Sequence, residues 1–446
     1  MSVSPFDSRI YGPLLSDDET AALFEDAAEL RSLLAVEAAL ARVQGRLGII
    51  PAEAAARITA VADQAPIEPA ALAEGAASAG VVVPALVTAL REAVGGEAAA
   101  YVHWGATSQD IVDCALLLRL RDLLALQEAR LARLIERLCA EAEAHRGTVM
   151  AARTRSQQAT PTSFGLKLAG WAAPLLRHRQ RLAELRPRLL AVQFGGAAGT
   201  LSALEGRGLA VAEALAAELD LAEPLLPWHN QRDSLAELAA WLSLVTGSLG
   251  KIGQDLVLLG QSELAEVRAG AGGGSSTMPQ KANPVGAEAL VALARSNAGL
   301  LGSMHQALVH EQERDGAAWS LEWLTLPQMA VAASAALRHA LALIGGLEVD
   351  AARMRRNLED SRGLVLAEAA SFALAAHMPW PEAQALVKAA CVELRRDGGH
   401  LIDILAERCP AAIDWDRLRD PANALGAAEA LIDRVLEQAR GATCDR

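Results

Sequence analysis

The chain has 446 residues, 52% hydrophobic and 21% charged, which excludes a mainly disordered polypeptide and leaves room for about three domains. Aromatic residues are scarce (Trp 8, Tyr 2, Phe 5) and the bulk is strong helix formers, so an all-β fold is excluded. With 54 acidic against 41 basic residues and a net charge of −13, the surface repels phosphate backbones and anionic lipid, so neither nucleic acid nor membrane is an expected partner.

The five cysteines (Cys114, Cys139, Cys391, Cys409, Cys444) form no CxxC or metal-ligand spacing, which fits reduced thiols. The N-terminal MSVSPFDSRIYG lacks the basic and apolar regions of a signal peptide. The longest uncharged stretches, 75–90 and 324–337, are short and interrupted by Gly80 and Pro84 or by Pro327 and Gln328, below the ~20 apolar residues of a membrane helix. The expectation is a soluble cytoplasmic protein.

In chain order, a first helix is predicted over 21–47, where Leu33, Val36, Leu40, Val43 and Leu47 keep 3/4 spacing. Gly48 and Pro51 end it, and short helices follow to Gly96. Residues 106–146 lack glycine and proline and keep Leu117, Leu120, Leu124, Leu131, Leu134 and Leu138 on one stripe, predicting a helix up to ~60 Å long. Further long helices are predicted over 162–186, 233–267, 284–310 and 326–344. Gly247, Gly250, Gly253 and Gly260 fall near one face of the 233–267 helix, as close helix packing requires. Rods of this length expose more apolar stripe than one chain covers, which predicts a homo-oligomer. Past Gly345-Gly346 the pattern shortens. The expected domains are 1–105, a central long-helix bundle over 106–346, and 347–446.

The most informative segment is 268–288, RAGAGGGSSTMPQKANPVGAE. A glycine-rich loop places Ser275, Ser276, Lys281 and Asn283 beside a helix start, where free N–H groups and the dipole favour anions. It is neither GxxxxGK[ST] nor GxGxxG. The physical inference is a site for a carboxylate substrate.

Residues 274–284 (GSSxMPxKxNP) resemble the signature of the fumarase/aspartase superfamily. The segments 103–110 (HWGATSQD) and 154–165 (TRSQQATPTSFG) resemble its other two blocks in order and spacing. The resemblance implies an all-α, fumarase/aspartase-like three-domain fold with a central long-helix bundle, and a homotetramer whose active sites each draw on three subunits. Within the superfamily, the PWHNQRD segment at 227–233 and the EQER segment at 311–314, followed by Trp319 and Glu322-Trp323, look most like the 3-carboxy-cis,cis-muconate cycloisomerases. Adenylosuccinate lyases carry a histidine where this chain has Arg155, another near Gly80, and a phosphate-binding arginine where it has Trp323, so these positions argue against a nucleotide substrate.

The implied reaction is cofactor-free lactonisation of a tricarboxylate: a carboxylate adds to a double bond and a proton reaches the carbon beside another carboxylate. Its enediolate-like transition state needs preorganised donors, assigned to Lys281, Asn283, Thr107 and Ser108. Ser275 matches the superfamily's proton-transfer serine, and a serine needs neighbouring donors to act as a base. His103 is a candidate substrate ligand or proton donor, with a hydrogen-bonded packing histidine as the alternative. Arg155 and Glu288 are expected to form an ion pair that holds a substrate carboxylate or only shapes the pocket. Arg232 could clamp a carboxylate bidentately, and His229 or Arg232 could instead cap the helix near Asp233. Gln158, Arg314 and Trp323 complete the predicted substrate-binding set. His305 and His310 lie five apart, a poor metal pair, so no metal is expected. The alternatives are a fumarate-releasing lyase and a non-catalytic helical scaffold.

Overall fold

The computed structural model describes residues 3–270, 272–274, 277–409 and 413–444. Its long helices are Asp26–Arg46, Ser108–Ala144, Phe164–Leu189, Asp233–Leu259, Val285–Gln306 and Gly316–Gly345. The 37-residue Ser108–Ala144 helix extends ~55 Å at 1.5 Å per residue.

Several boundaries differ from the sequence expectation, each for a local reason. The first long helix starts at Asp26, because the preceding Asp18–Ala21 turn of helix is capped separately by Asp17, whose Oδ1 accepts from Thr20 N–H at 3.1 Å. The helix from Asp233 stops at Leu259, where Gly260 follows, and Val267–Ala269 forms a strand antiparallel to Leu347–Val349. The helix expected from 326 begins at Gly316 and runs through Pro327. Asp315 caps its start by accepting from Ala317 N–H (2.8 Å) and Ala318 N–H (3.3 Å). Pro327 cannot donate to the Trp323 carbonyl, but its neighbours Leu326, Met329 and Ala330 are at most 1% exposed, so their packing holds the helix across the lost bond.

The hairpin Val149–Thr154/Gln157–Ser163 was not anticipated. Thr154 pairs with Gln157, leaving a two-residue turn in which Arg155 (φ 50°) and Ser156 (φ 64°) are both left-handed. That is the primed turn geometry whose twist matches antiparallel strands, built here without glycine.

The chain divides into two compact units, one of Met1–Arg130, His178–Leu249 and Ala292–Arg338, the other of Leu131–Arg177, Gly250–Val291 and His339–Arg446. In the first, Leu33, Val36, Leu40 and Val43 of one predicted stripe and Leu117, Leu120 and Leu124 of the next are buried, together with Leu86 and Leu90, whereas Leu47 at the helix end is 37% exposed. Gly45 lets the Asp26–Arg46 and Ala52–Ala62 helices touch, since a β-carbon there would lie 2.5 Å from the Ala55 Cβ. In the second, Val149 and Ala151 of the hairpin join Leu358, Leu366, Leu374, Leu394 and Leu401 in one apolar cluster. Arg153 donates twice to Glu266 (2.6 and 2.9 Å), and Asn357 donates to the same carboxylate at 2.8 Å, which satisfies a fully buried glutamate.

Asp233–Leu259 and Gly316–Gly345 are long and apolar enough to cross a membrane by composition, but 61% and 67% of their most apolar windows are buried within the protein, as for core helices. The glycines of the Asp233–Leu259 helix are not equivalent. At Gly253 a β-carbon would lie 2.5 Å from the Ala287 carbonyl oxygen and 2.8 Å from Leu290 Cβ, whereas at Gly247 nothing lies within 4 Å. Close packing inside this chain therefore holds at Gly253 and not at Gly247. Gly253→Ala should lower stability by ~1–3 kcal/mol through overpacking, and Gly247→Ala should be neutral or raise it by up to ~1 kcal/mol. Urea unfolding of the two variants checks this, and equal effects would contradict it.

Candidate active site

In the first unit, the candidate site is organised by a carboxylate at the start of the Ser108–Ala144 helix. Asp110 occupies the third helical position and reaches back to accept from the Thr107 N–H at 3.0 Å, the acidic half of a capping box. Its other contacts come from distant sequence: Gly195 N–H (2.9 Å), Gly196 N–H (2.9 Å) and the His229 Nε2 (2.8 Å). Asp110 is 1% exposed, so this set of four donors replaces its water shell. Gly195 is required here, because a β-carbon would lie 2.7 Å from Pro227 Cβ and 2.9 Å from the His229 ring. His229 is thus a partner of Asp110 inside the protein, and not the cap of the following helix.

Beside this hub, His103 adopts a left-handed backbone (φ 63°) and its Nδ1 meets Glu37 Oε1 at 2.6 Å. Glu37 lies in the middle of an apolar helix and is 1% exposed. Burial opposes charging the His103 ring, but the Glu37 hydrogen bond and charge prevail and raise its pKa above the ordinary value. Glu37 thereby favours the imidazolium, a cation four residues before Thr107 of the capping box. Arg314 closes the arrangement from the loop before Gly316: its guanidinium donates to Thr107 Oγ1 (3.0 Å) and to the carbonyls of Ala197 (3.1 Å) and Gly196 (3.4 Å). Thr107 and Arg314 thus join one network through Asp110 and the 195–197 turn, with Ser108 next along the chain and only half-buried, while His103 stands beside it, bonded to Glu37 and within the influence of the Asp110 charge.

Arg232 does not present a free clamp. Its guanidinium contacts Asp113 (2.6 and 3.0 Å) and Glu322 (2.8 and 2.5 Å) and lies over the Trp228 ring, 4.8 Å from the centroid. Burial works against its charge, yet the two carboxylates keep its pKa above the ordinary value. With a side-chain exposure of 1%, it neutralises the protein's own acids, which accounts for its bidentate geometry without a substrate. Trp319 also donates to Asp113 Oδ1 at 3.3 Å and stacks edge-on with Trp323, 4.7 Å between ring centroids, leaving Trp323 38% exposed.

The second unit holds the remaining candidates. Gly273–Gly274 pairs antiparallel with Ala282–Asn283, which fixes Asn283 at the base of the glycine loop just before the Val285–Gln306 helix. A side chain at Gly273 would strike Val285 at 2.5 Å, so close approach of this strand to the start of the Val285–Gln306 helix needs glycine there. Lys281 is exposed and its N–H donates to the Met278 carbonyl at 3.0 Å. Ser275 and Ser276 lie outside the described residues. Arg155 sits at the exposed hairpin tip and Glu288 on an exposed face of the first helical turn. The anticipated Arg155–Glu288 ion pair is absent among the described residues, because the primed turn carries Arg155 into solvent. Gln158 donates its amide to the Asn357 carbonyl at 3.1 Å, tying the hairpin to the Ala351–Glu359 helix.

Sequence reasoning gave no role to the acids Asp110, Asp113, Glu37 and Glu322, although Asp110 closes the 103–110 block and Glu322 stands beside Trp323. Two had a signal. Thr107 and Asp110 have capping-box spacing, and Glu37 interrupts an apolar stripe.

Two predictions follow from these charges. Because His103 has a raised pKa in the folded state, the stability it gains from Glu37 is complete below the ordinary histidine pKa and is lost as pH rises through the raised value. The stability difference between wild type and Glu37→Gln should therefore shrink as pH increases from 6 to 9, as urea titrations would reveal; a pH-independent difference would contradict the pairing. Arg232→Met should destabilise the protein by ~3–5 kcal/mol by stranding Asp113 and Glu322, and an unchanged melting temperature would show those acids to be tolerated unpaired.

Comparison with known proteins places this geometry in a family. Residues 16–299 match the lyase family. A 3-carboxy-cis,cis-muconate cycloisomerase of Pseudomonas aeruginosa is 50% identical over 431 residues, covering 94% of this chain and 93% of that protein. The crystal structure of 3-carboxy-cis,cis-muconate lactonizing enzyme from Pseudomonas putida superposes with a TM-score of 0.92 at 43% identity, over 98% of this chain and 100% of that one. A fumarate lyase from Mesorhizobium sp. BNC1 superposes with a TM-score of 0.90 at 41% identity, over 96% and 99% of the two chains. The chain belongs to the lyase family, with the fumarase/aspartase-like helical fold.

Proposed function

We propose that the protein is a 3-carboxy-cis,cis-muconate cycloisomerase, an intramolecular lyase that converts its tricarboxylate substrate to carboxymuconolactone without a cofactor. The observation that carries this reading is the 50% identity to a cycloisomerase across nearly the whole of both chains. The reaction balances internally. A carboxylate oxygen forms a C–O bond to an alkene carbon, the π electrons move to the carbon beside a second carboxylate, and that carbon takes up a proton.

In this reading Thr107, Ser108, Lys281 and Asn283 donate to the developing enediolate, where fixed donors lower the barrier most. His103, whose imidazolium form Glu37 favours, binds a carboxylate or supplies the proton. Ser275 is the loop's proton-transfer residue. Arg314 serves two ends, holding Thr107 while offering an exposed guanidinium to substrate. Arg155 and Glu288 act on the substrate separately and not as a pair. Gln158 and Trp323 shape the pocket, and Arg232 fixes the acids beneath it instead of clamping substrate.

The same reading includes a cytoplasmic homotetramer with domains 1–105, 106–346 and 347–446 and with active sites completed by other subunits, working in protocatechuate degradation by the β-ketoadipate route. The second reading, a fumarate-releasing lyase, is favoured by the likeness to the Mesorhizobium enzyme.

Loss of the muconate chromophore with lactone formation, and no fumarate from adenylosuccinate, is the expected result for wild type. Thr107→Ala and Lys281→Met should each reduce kcat by ~10²–10³-fold, the typical cost of removing one transition-state donor. Fumarate release from a succinyl substrate, with carboxymuconate untouched, would transfer the assignment to the lyase.

A further inference from the structure

One to three turns beyond Ser108, on the same stripe of the Ser108–Ala144 helix, Val112, Leu116 and Arg119 line a cavity of about 480 Å³. Phe24, Trp323 and Leu326 supply further walls. The volume is in the range of small-molecule sites, which combine apolar walls with a few placed polar groups. Among these walls Arg119 is poorly partnered. It is 7% exposed, yet its polar contacts are both long: Nε to the Ala115 carbonyl at 3.4 Å and Nη1 to Glu29 at 3.8 Å. Its guanidinium also lies over the Phe24 ring, 5.9 Å from the centroid. A guanidinium has five donors in a planar fork suited to a carboxylate, and burying it without such a partner is unfavourable. Desolvation accordingly lowers its pKa below the ordinary arginine value, with Glu29 opposing.

The other acids on the cavity wall do not answer this need. Glu322 is held by Arg232, and Glu29 is 38% exposed at its side chain, free to turn to water when a better placed carboxylate arrives. We propose that the cavity is a binding site for a small monocarboxylate with a flat apolar body, an aryl carboxylate, whose carboxylate displaces Glu29 from Arg119 and whose ring lies among Phe24, Leu116 and Trp323. A tricarboxylate does not suit it, because one guanidinium meets one carboxylate and the remaining walls would leave two charges without donors. The cavity shares the Trp323 wall with the substrate pocket proposed above, but the inference rests on Arg119, and Arg119→Met separates binding here from binding there.

Titration calorimetry of the full-length protein with benzoate tests it, with benzamide as the uncharged control. Benzoate should bind saturably within ~10 mM, the weak range expected of so small a ligand, and benzamide at least ~10-fold more weakly. Arg119→Met should weaken benzoate at least ~10-fold, and Glu29→Gln, which removes the competing carboxylate from a half-exposed position, should tighten it several-fold. Absence of saturable binding to wild type, equal binding of benzamide, or unchanged affinity in both variants would overturn the assignment.

Discussion

A buried carboxylate with four fitted donors governs the candidate site in the first unit. A carboxylate removed from water is stable only where hydrogen bonds replace its hydration, and at 1% exposure Asp110 depends on them. Those donors arise from three separate stretches of chain: the helix start at Thr107, the turn at Gly195-Gly196, and His229. Meeting the needs of one side chain therefore fixes where the helix begins, how the 195–197 carbonyls point, and where Arg314 can reach. Thr107 is held on both its backbone and its hydroxyl by this arrangement, which is the preorganisation that donor catalysis needs.

Beneath this hub the protein buries a second ionic group, Arg232 with Asp113 and Glu322. Such clusters are seldom a net source of stability compared with apolar packing, because desolvation offsets the attraction. Their effect is geometric. Arg232 joins the Ser108–Ala144 and Gly316–Gly345 helices at fixed register through short bonds, and Trp319 adds a third contact on Asp113. The apolar stripes provide cohesion but tolerate sliding, whereas a guanidinium between two carboxylates does not. An arginine suited to clamping a substrate is equally suited to clamping the protein, and only its surroundings distinguish the two.

Much of the fold was legible because helices advertise themselves through spacing. Leu117, Leu120 and Leu124 repeat at 3 and 4, and all are buried. The hairpin was not legible, since its turn uses Arg155-Ser156 in place of the Asn-Gly or Gly-Gly pairs that signal a primed turn. Pro327 misled in the opposite sense, because tertiary burial of Leu326 and Met329 outweighed a local breaker. Within the site, motif residues such as Thr107 and Asn283 could be named from their types, but the acids that orient them could not be paired from sequence. His229 meets Asp110, and Arg232 meets Asp113, across 119 positions of chain in each case.

The central claim is that Asp110 organises the site without touching substrate. Steady-state turnover of Asp110→Asn on 3-carboxy-cis,cis-muconate tests it most directly, because the amide keeps the volume but loses the charge and one acceptor face. A fall in kcat of ~10²-fold or more, with helical content retained and Thr107→Ala adding little further loss, is the predicted result. Wild-type kcat in Asp110→Asn would contradict the account.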